Sequence, residues 1–182
     1  MKFSVKFKAD DVRKMFKDLK KEFRDGADGA RAGYYEGERI KSKDGKETPL
    51  IADIGLWNTF GVPQMKIPQR PFMQNAEVKI QKRAPKIMQK GLDDGKTLNK
   101  IMAEIAEDMR SNIINALTIN SNYEKNADIT IYGGWMKNKI SGKPFKVEGK
   151  GEGKNPLYNN GDLVDGVHIA MVKNGKEKPL GK

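Results

Sequence analysis

The sequence predicts an α+β protein: a small antiparallel sheet packed against amphipathic helices, with an extended arm or hairpin inserted into it. Two patterns and one change of composition point there. Apolar residues recur at helical spacing through the first two thirds of the chain, and at period two in short runs near both ends. Residues 120–160 instead crowd Gly, Asn and Lys between short β-like pieces. With 182 residues and 37% apolar content, the chain suits one domain spanning 1–182, in which 120–155 is the arm.

Taken in order, "FSVKFKA" alternates Phe3, Val5 and Phe7 with polar residues, as a half-buried strand does. Asp10 or Asp11 then caps a helix with Val12, Met15 or Phe16, Leu19 and Phe23 on one side, ended by Gly26 and Gly29. "RAGYYEGERI" reads as a short strand and Asp44-Gly45 as a turn. Thr48 suits an N-cap, Pro49 the first helical position and Gly61 the position just past the end. Between them Leu50, Ile54, Trp57 and Phe60 lie at helical spacing, which predicts a buried or interfacial Trp57. "AEVKIQKRAPKIMQKG" predicts a helix kinked or broken at Pro85. Thr97 caps the longest run, with Leu98, Ile101, Ile105, Met109 and Ile113 or Leu117 in one stripe. After the arm, with its "ITIY" and "PFKV" pieces, "NNGDLVDGVHIAMVK" gives a short helical start and a last strand.

Charge narrows the function classes. Lys and Arg exceed Asp and Glu by 35 to 24, a net charge of +11, which favours a polyanionic neighbour or acidic partners in an assembly. Mixed signs along each block also fit plain solvated helix faces. Cysteine is absent, which excludes disulfides and thiolate metal sites. No stretch has the apolar run of a secretion signal or a membrane span, so no membrane partner is expected.

Candidate chemistry is sparse. The single histidine, His168, has no ligand-spaced companion and reads as structural. "GKGEGK" at 149–154 lacks the spacing and the strand–loop–helix setting of a phosphate loop. Asp10-Asp11 and Asp93-Asp94 read as charges at turns before helices. No catalytic residue, cofactor or metal is therefore expected, and the chain does not read as an enzyme. Tyr34, Tyr35 and Trp135 lie among basic residues where bases could stack, though no recognition-module signature accompanies them.

The stiffest stretch is "GVPQMKIPQRPFMQ", residues 61–74, which sets Pro68 and Pro71 around Arg70 and follows them with Phe72. Two prolines fix φ and remove donors, which predicts a pre-organised extended connector. Arg70 supplies a planar fork and Phe72 a large anchor.

The order of these parts resembles the neck and tail-completion proteins of tailed bacteriophages, a tail-component family with tail-terminator-like members. Ala52, Ile54, Asn58, Phe60 and Gly61 match its "Ala-x-Ile-x-x-x-Asn-Glu-Phe-Gly" helix, with Thr59 in place of glutamate. Ile67, Pro68, Arg70, Pro71 and Phe72 match its "Ile-Pro-x-Arg-Pro-Phe" corner. Pro156, Leu157, Gly161 and Leu163 match its C-terminal element, where Asn159-Asn160 replace an Asp-Thr pair and Gly166-Val167 a Ser-Ile.

The resemblance covers most of the chain apart from 120–155. It implies a structural virion protein, assembled in the host cytoplasm, that forms a ring at the neck or tail top. Such a ring, a hexamer by analogy, would complete the tail and help join it to the DNA-filled head through neighbouring neck, connector and tail proteins. Trp57, Phe60, Pro68, Arg70, Pro71 and Phe72 become the expected corner or subunit-contact residues. Lys137, Lys139, Lys143, Lys146, Lys150 and Lys154 of the arm become candidates to face DNA or acidic partners. A non-specific nucleic-acid-binding module using that lysine-rich arm is the alternative.

Overall fold

The structure, a computed structural model, describes residues 9–40, 48–118, 123, 131–137, 142–149, 157 and 161–181. The strand expected over Phe3–Phe7 and the Asp44-Gly45 turn lie outside these residues. The elements run α1 (Ala9–Asp25), β1 (Gly29–Gly33), α2 (Ile51–Phe60), α3 (Phe72–Asp93), α4 (Leu98–Thr118), β2 (Gly133–Lys137), β3 (Pro144–Glu148), α5 (Asp162–Asp165), β4 (His168–Lys173) and β5 (Lys176–Gly181). The expected α+β class is observed: a three-stranded antiparallel sheet, order β1-β4-β5, lies with the helices, and β2 and β3 form a separate hairpin.

α4 is the spine. Thr97 caps it through its hydroxyl to the Lys100 amide, and Leu98, Ile101, Ile105, Ile113 and Leu117 are buried along one side, as their spacing predicts. It packs lengthwise on α3 and, on its other flank, on β1 and β4. β1 reads Gly-Ala-Arg-Ala-Gly, and those small residues let the helix approach the sheet. Two apolar clusters result. One gathers Ile51, Phe72, Ala76, Ile113, Leu117, Leu157, Leu163 and Val167; the other joins Ala27, Ile101, Met102 and Ile105.

Several expectations are corrected. Of the kink or break expected at Pro85, the break does not occur: α3 is one helix from Phe72 to Asp93. That proline faces solvent, so the carbonyl that loses its amide partner opens to water and the helix continues. α3 is consequently one residue longer than α4. Asp93 and Asp94 close α3 at its C-terminal end, and Asp93 accepts from Gln89.

β1 starts earlier than the strand expected in "RAGYYEGERI" and stops before Tyr34. That ring leaves the sheet to lie against Gly55, and its hydroxyl donates to the Leu163 carbonyl at 3.0 Å. Thr48 does not cap α2. Its hydroxyl donates to the Ile40 carbonyl, and Arg39 and Leu50 form a β-bridge, so the helix begins at Ile51 without a side-chain cap.

Of the apolar series expected on one side of α1, Phe16 and Phe23 stand exposed at 58% and 68%. The helix is moored at its C-terminal end. There Glu22 accepts from the Leu98 amide, Gly26 closes the helix onto the Glu22 carbonyl, and the Ala27 amide donates to Asn99.

The last strand, β5, was not among the expected elements, although its signal is present. Asn174 and Gly175 both take positive φ, 49° and 73°, as a two-residue hairpin turn requires.

α3 and α4 come together tightly at Gly91, where a Cβ would stand 2.5 Å from Cγ1 of the fully buried Ile101. Alanine improves helix propensity by about 1 kcal/mol, while overpacking costs typically 1–3 kcal/mol. Gly91→Ala should therefore lower stability in urea denaturation despite its better propensity. A stabilised variant would show that the two helices part at this point.

Candidate assembly interface

The corner that sequence reasoning singled out is a folded unit, tied at both ends. Gly61 ends α2 at φ 74°, its amide donating to the Trp57 carbonyl at 2.8 Å. A Cβ there would meet the Gln69 amide nitrogen at 2.9 Å, so the returning chain leaves room for glycine alone. Val62 and Ile67 then exchange two backbone hydrogen bonds around a single 3₁₀ turn, Pro63–Met65, closed by Lys66 in the left-handed region. The extended connector expected from Pro68 and Pro71 is thus preceded by a compact loop over Val62–Ile67. Pro71, at φ −77° and ψ 55°, makes an inverse γ-turn in which the Phe72 amide donates to the Arg70 carbonyl at 2.7 Å. α3 starts on the next residue, so Phe72 belongs to a helix rather than to the connector.

Arg70 binds the corner to α2. It is 2% exposed, and its Nη1 donates to Oδ1 of Asn58 at 2.8 Å. Its backbone amide donates to the Asn58 carbonyl at 2.6 Å. The Asn58 amide group in turn donates to the Ile54 carbonyl at 2.9 Å, which fixes the orientation of the acceptor. Phe72 is fully buried among Ile51, Ala76, Leu117 and Leu163. Pro68 and Pro71 are half-buried between these two anchors.

With α2 held in this way, its buried residues are Ile51, Gly55 and Thr59; of the series read from spacing, Ile54 is partly buried against the same core, whereas Phe60 faces out. α2 is apolar on both sides, so periodicity could not select the buried one. Tyr34 decides: its ring lies where a Gly55 Cβ would be, 2.8 Å away, and burial pushes its phenol pKa up. Trp57 is half-buried, whereas Leu56, Phe60 and Met65 are exposed at 55%, 61% and 57%. Leu56 and Phe60 are four residues apart on α2, and Met65 follows in the 3₁₀ turn. Sequence reasoning missed Leu56 and Met65 as surface residues.

The arm contains the β2–β3 hairpin, with "PFKV" inside β3 and β2 beginning just after "ITIY". Trp135 stands opposite Lys146 and is 71% exposed; Lys137, Lys143 and Lys146 are exposed. Lys139, Lys150 and Lys154 lie outside the described residues.

An open groove of about 460 Å³ runs beside β1 and β4, lined by Arg31, Tyr34, Tyr35, His168 and Glu177 among others. His168 Nε2 meets the Glu38 carboxylate at 2.5 Å, with the Tyr35 ring 4.5 Å from its own, and Arg31 pairs with Glu177. Among the described residues no cluster of three His, Cys, Asp or Glu side chains could hold a metal, and no helix is long and apolar enough to cross a membrane. Comparison with protein-family models, with curated proteins and with solved structures finds no match.

Phe72→Ala should cost about 3–5 kcal/mol of unfolding free energy, as large-to-small changes of buried aromatics do. A loss below 1 kcal/mol would remove Phe72 from the core. Arg70→Ala and Asn58→Ala, combined in a double-mutant cycle, should couple by about 1.5–3 kcal/mol, the range for hydrogen bonds to a charged group. Additive losses would mean that the corner does not hold α2 through this pair.

Proposed function

We propose that the protein is a structural subunit of a tailed-bacteriophage particle, one copy in a ring at the neck or tail top that completes the tail and helps join it to the head. The observation that carries the reading is the rigid corner itself. It presents Leu56, Phe60 and Met65 outward from a helix whose opposite side is already buried. A helix apolar on both sides needs two neighbours. Its own fold supplies one, and a second copy supplies the other.

The match of Asn58, Arg70, Pro71 and Phe72 to the family pattern supports the same conclusion, because those residues make the corner stiff. A closed ring of head-to-tail contacts needs two different surfaces on each subunit. Phe16 and Phe23 of α1 offer the second. A sixfold ring is the family's implied closure, and head connector and tail proteins are the proposed neighbours above and below it.

The alternative, a nucleic-acid-binding module working through the arm, is favoured by one feature: Trp135 and Lys146 occupy the same side of an exposed hairpin. Bases could stack on that indole beside the cation.

Leu56→Glu with Phe60→Asp tests the leading reading, because both side chains are exposed and the fold should tolerate the change. Mass photometry of the wild-type protein should show a ring of about six copies by analogy with the family, and the double variant should be monomeric with an unchanged circular dichroism spectrum. A wild-type protein that stays monomeric at micromolar concentration, alone and with tail proteins, would reject the ring.

A further inference from the structure

α3 carries four lysines that neither the fold nor the corner uses. Lys79, Lys82, Lys86 and Lys90 follow one another at steps of three, four and four residues, and all are exposed. At 100° per residue they fall within about 80° of one another on the helix surface, along a line of about 16 Å. Pro85 does not interrupt the helix, so the line is held on one continuous rigid element. Among the described residues none of the four is ion-paired.

Of the nearby acids, Asp94 lies four residues beyond Lys90 at the end of the row, and the rest contact other side chains. Asp108 of α4 holds Arg83, Glu77 accepts from Gln81, and Asp93 accepts from Gln89. α1 has more cations, six, but Asp18, Glu22 and Asp25 are interspersed with them and Arg24 is paired with Asp25.

Like charges at helical spacing repel, costing a few tenths of a kcal/mol per pair in an isolated helix. An unpaired row of them therefore signals a partner with matching negative charge. Two polyanions compete for the role: an acidic protein and a nucleic-acid backbone. Lysine is depleted in protein–protein interfaces, where apolar and arginine contacts dominate, and beside the row the exposed apolar neighbour is a small one, Val78, one turn before Lys82. A nucleic-acid strand offers phosphates at regular intervals, which a regular row of point charges can follow without reading bases.

We infer that this row is a docking surface for the phosphate backbone of duplex DNA, blind to sequence. The inference deepens the ring reading by naming which surface of the subunit meets DNA, and it can be tested apart from ring formation.

The test is fluorescence anisotropy of the full chain with a labelled duplex of arbitrary sequence, from low to moderate salt. Four phosphate contacts should give a slope of log K against log salt of about −3.6. Lys79→Gln, Lys82→Gln, Lys86→Gln and Lys90→Gln combined should remove most of that slope, with the thermal midpoint unchanged. Lys137→Gln, Lys143→Gln and Lys146→Gln combined, on the hairpin, should leave it largely intact. The monomeric Leu56→Glu/Phe60→Asp protein should still bind, so failure of the ring and failure of the DNA surface are separable.

Equal slopes for the wild type and the α3 variant would overturn the inference, as would loss of binding in the hairpin variant alone. No binding to duplex at low salt, with binding to polyglutamate instead, would assign the row to an acidic protein and overturn it as well. Selective protection of one base sequence would overturn its blindness to sequence.

Discussion

A buried arginine must keep its partners or leave the interior, and Arg70 is 2% exposed. Removing a guanidinium from water costs several kcal/mol before any contact repays it, so the groups around it cannot drift. Asn58 gives it a side-chain oxygen and takes its backbone amide on the main-chain carbonyl. Those two bonds set the end of α2 against the start of α3. Phe72, two residues on, carries the constraint into the core, where Leu117 of α4 and Val167 ahead of β4 meet it. The corner thus connects four parts of the fold through one charge and one ring. Its prolines contribute by removing alternatives: each fixes φ, and neither leaves an amide that would need a partner.

A locked α2 has a consequence for the surface. Because Gly55 lies against Tyr34 and Gly166 against Ile51, the helix cannot roll to bury its outer residues without opening the core. Leu56 and Phe60 are held outward by the same contacts that hold Ile51 and Thr59 inward. Burying both exposed side chains against a neighbour would contribute roughly 3–6 kcal/mol of transfer free energy. Side-chain ordering and lost rotational freedom offset part of this. One such contact is weak, whereas in a closed ring every subunit makes two.

How far the sequence disclosed this can be judged residue by residue. The class, α4 with its Thr97 cap, the Gly61 stop and strand β4 were legible, because caps and period are local signals. The inner side of α2 was not legible: an all-round apolar helix has no preferred side until Tyr34 arrives from 21 positions earlier in the chain. Whether Pro85 would break α3 was not legible, because its cost depends on whether solvent can reach the freed carbonyl, which is a tertiary fact. β5 was legible in principle, since Asn174-Gly175 is a strong hairpin signal, but its all-polar start conceals the strand. At the corner the identity of the key residues was readable, while the Asn58–Arg70 bond was not, because twelve residues and a loop separate the partners.

The two proposed surfaces respond differently to their surroundings. The contact through Leu56, Phe60 and Met65 is apolar and gains from burial, so added salt strengthens it slightly or leaves it alone. The lysine row on α3 acts through counterion release and weakens steeply as salt rises. At physiological ionic strength charges beyond about 8 Å are screened, so the row attracts DNA only at close approach. On the proposed reading, ring closure would also place several copies of the row around one duplex and multiply a contact that is weak in a single subunit. Tight DNA binding at higher salt would therefore follow assembly, since the surface that tolerates salt would form first and gather the copies of the surface that does not.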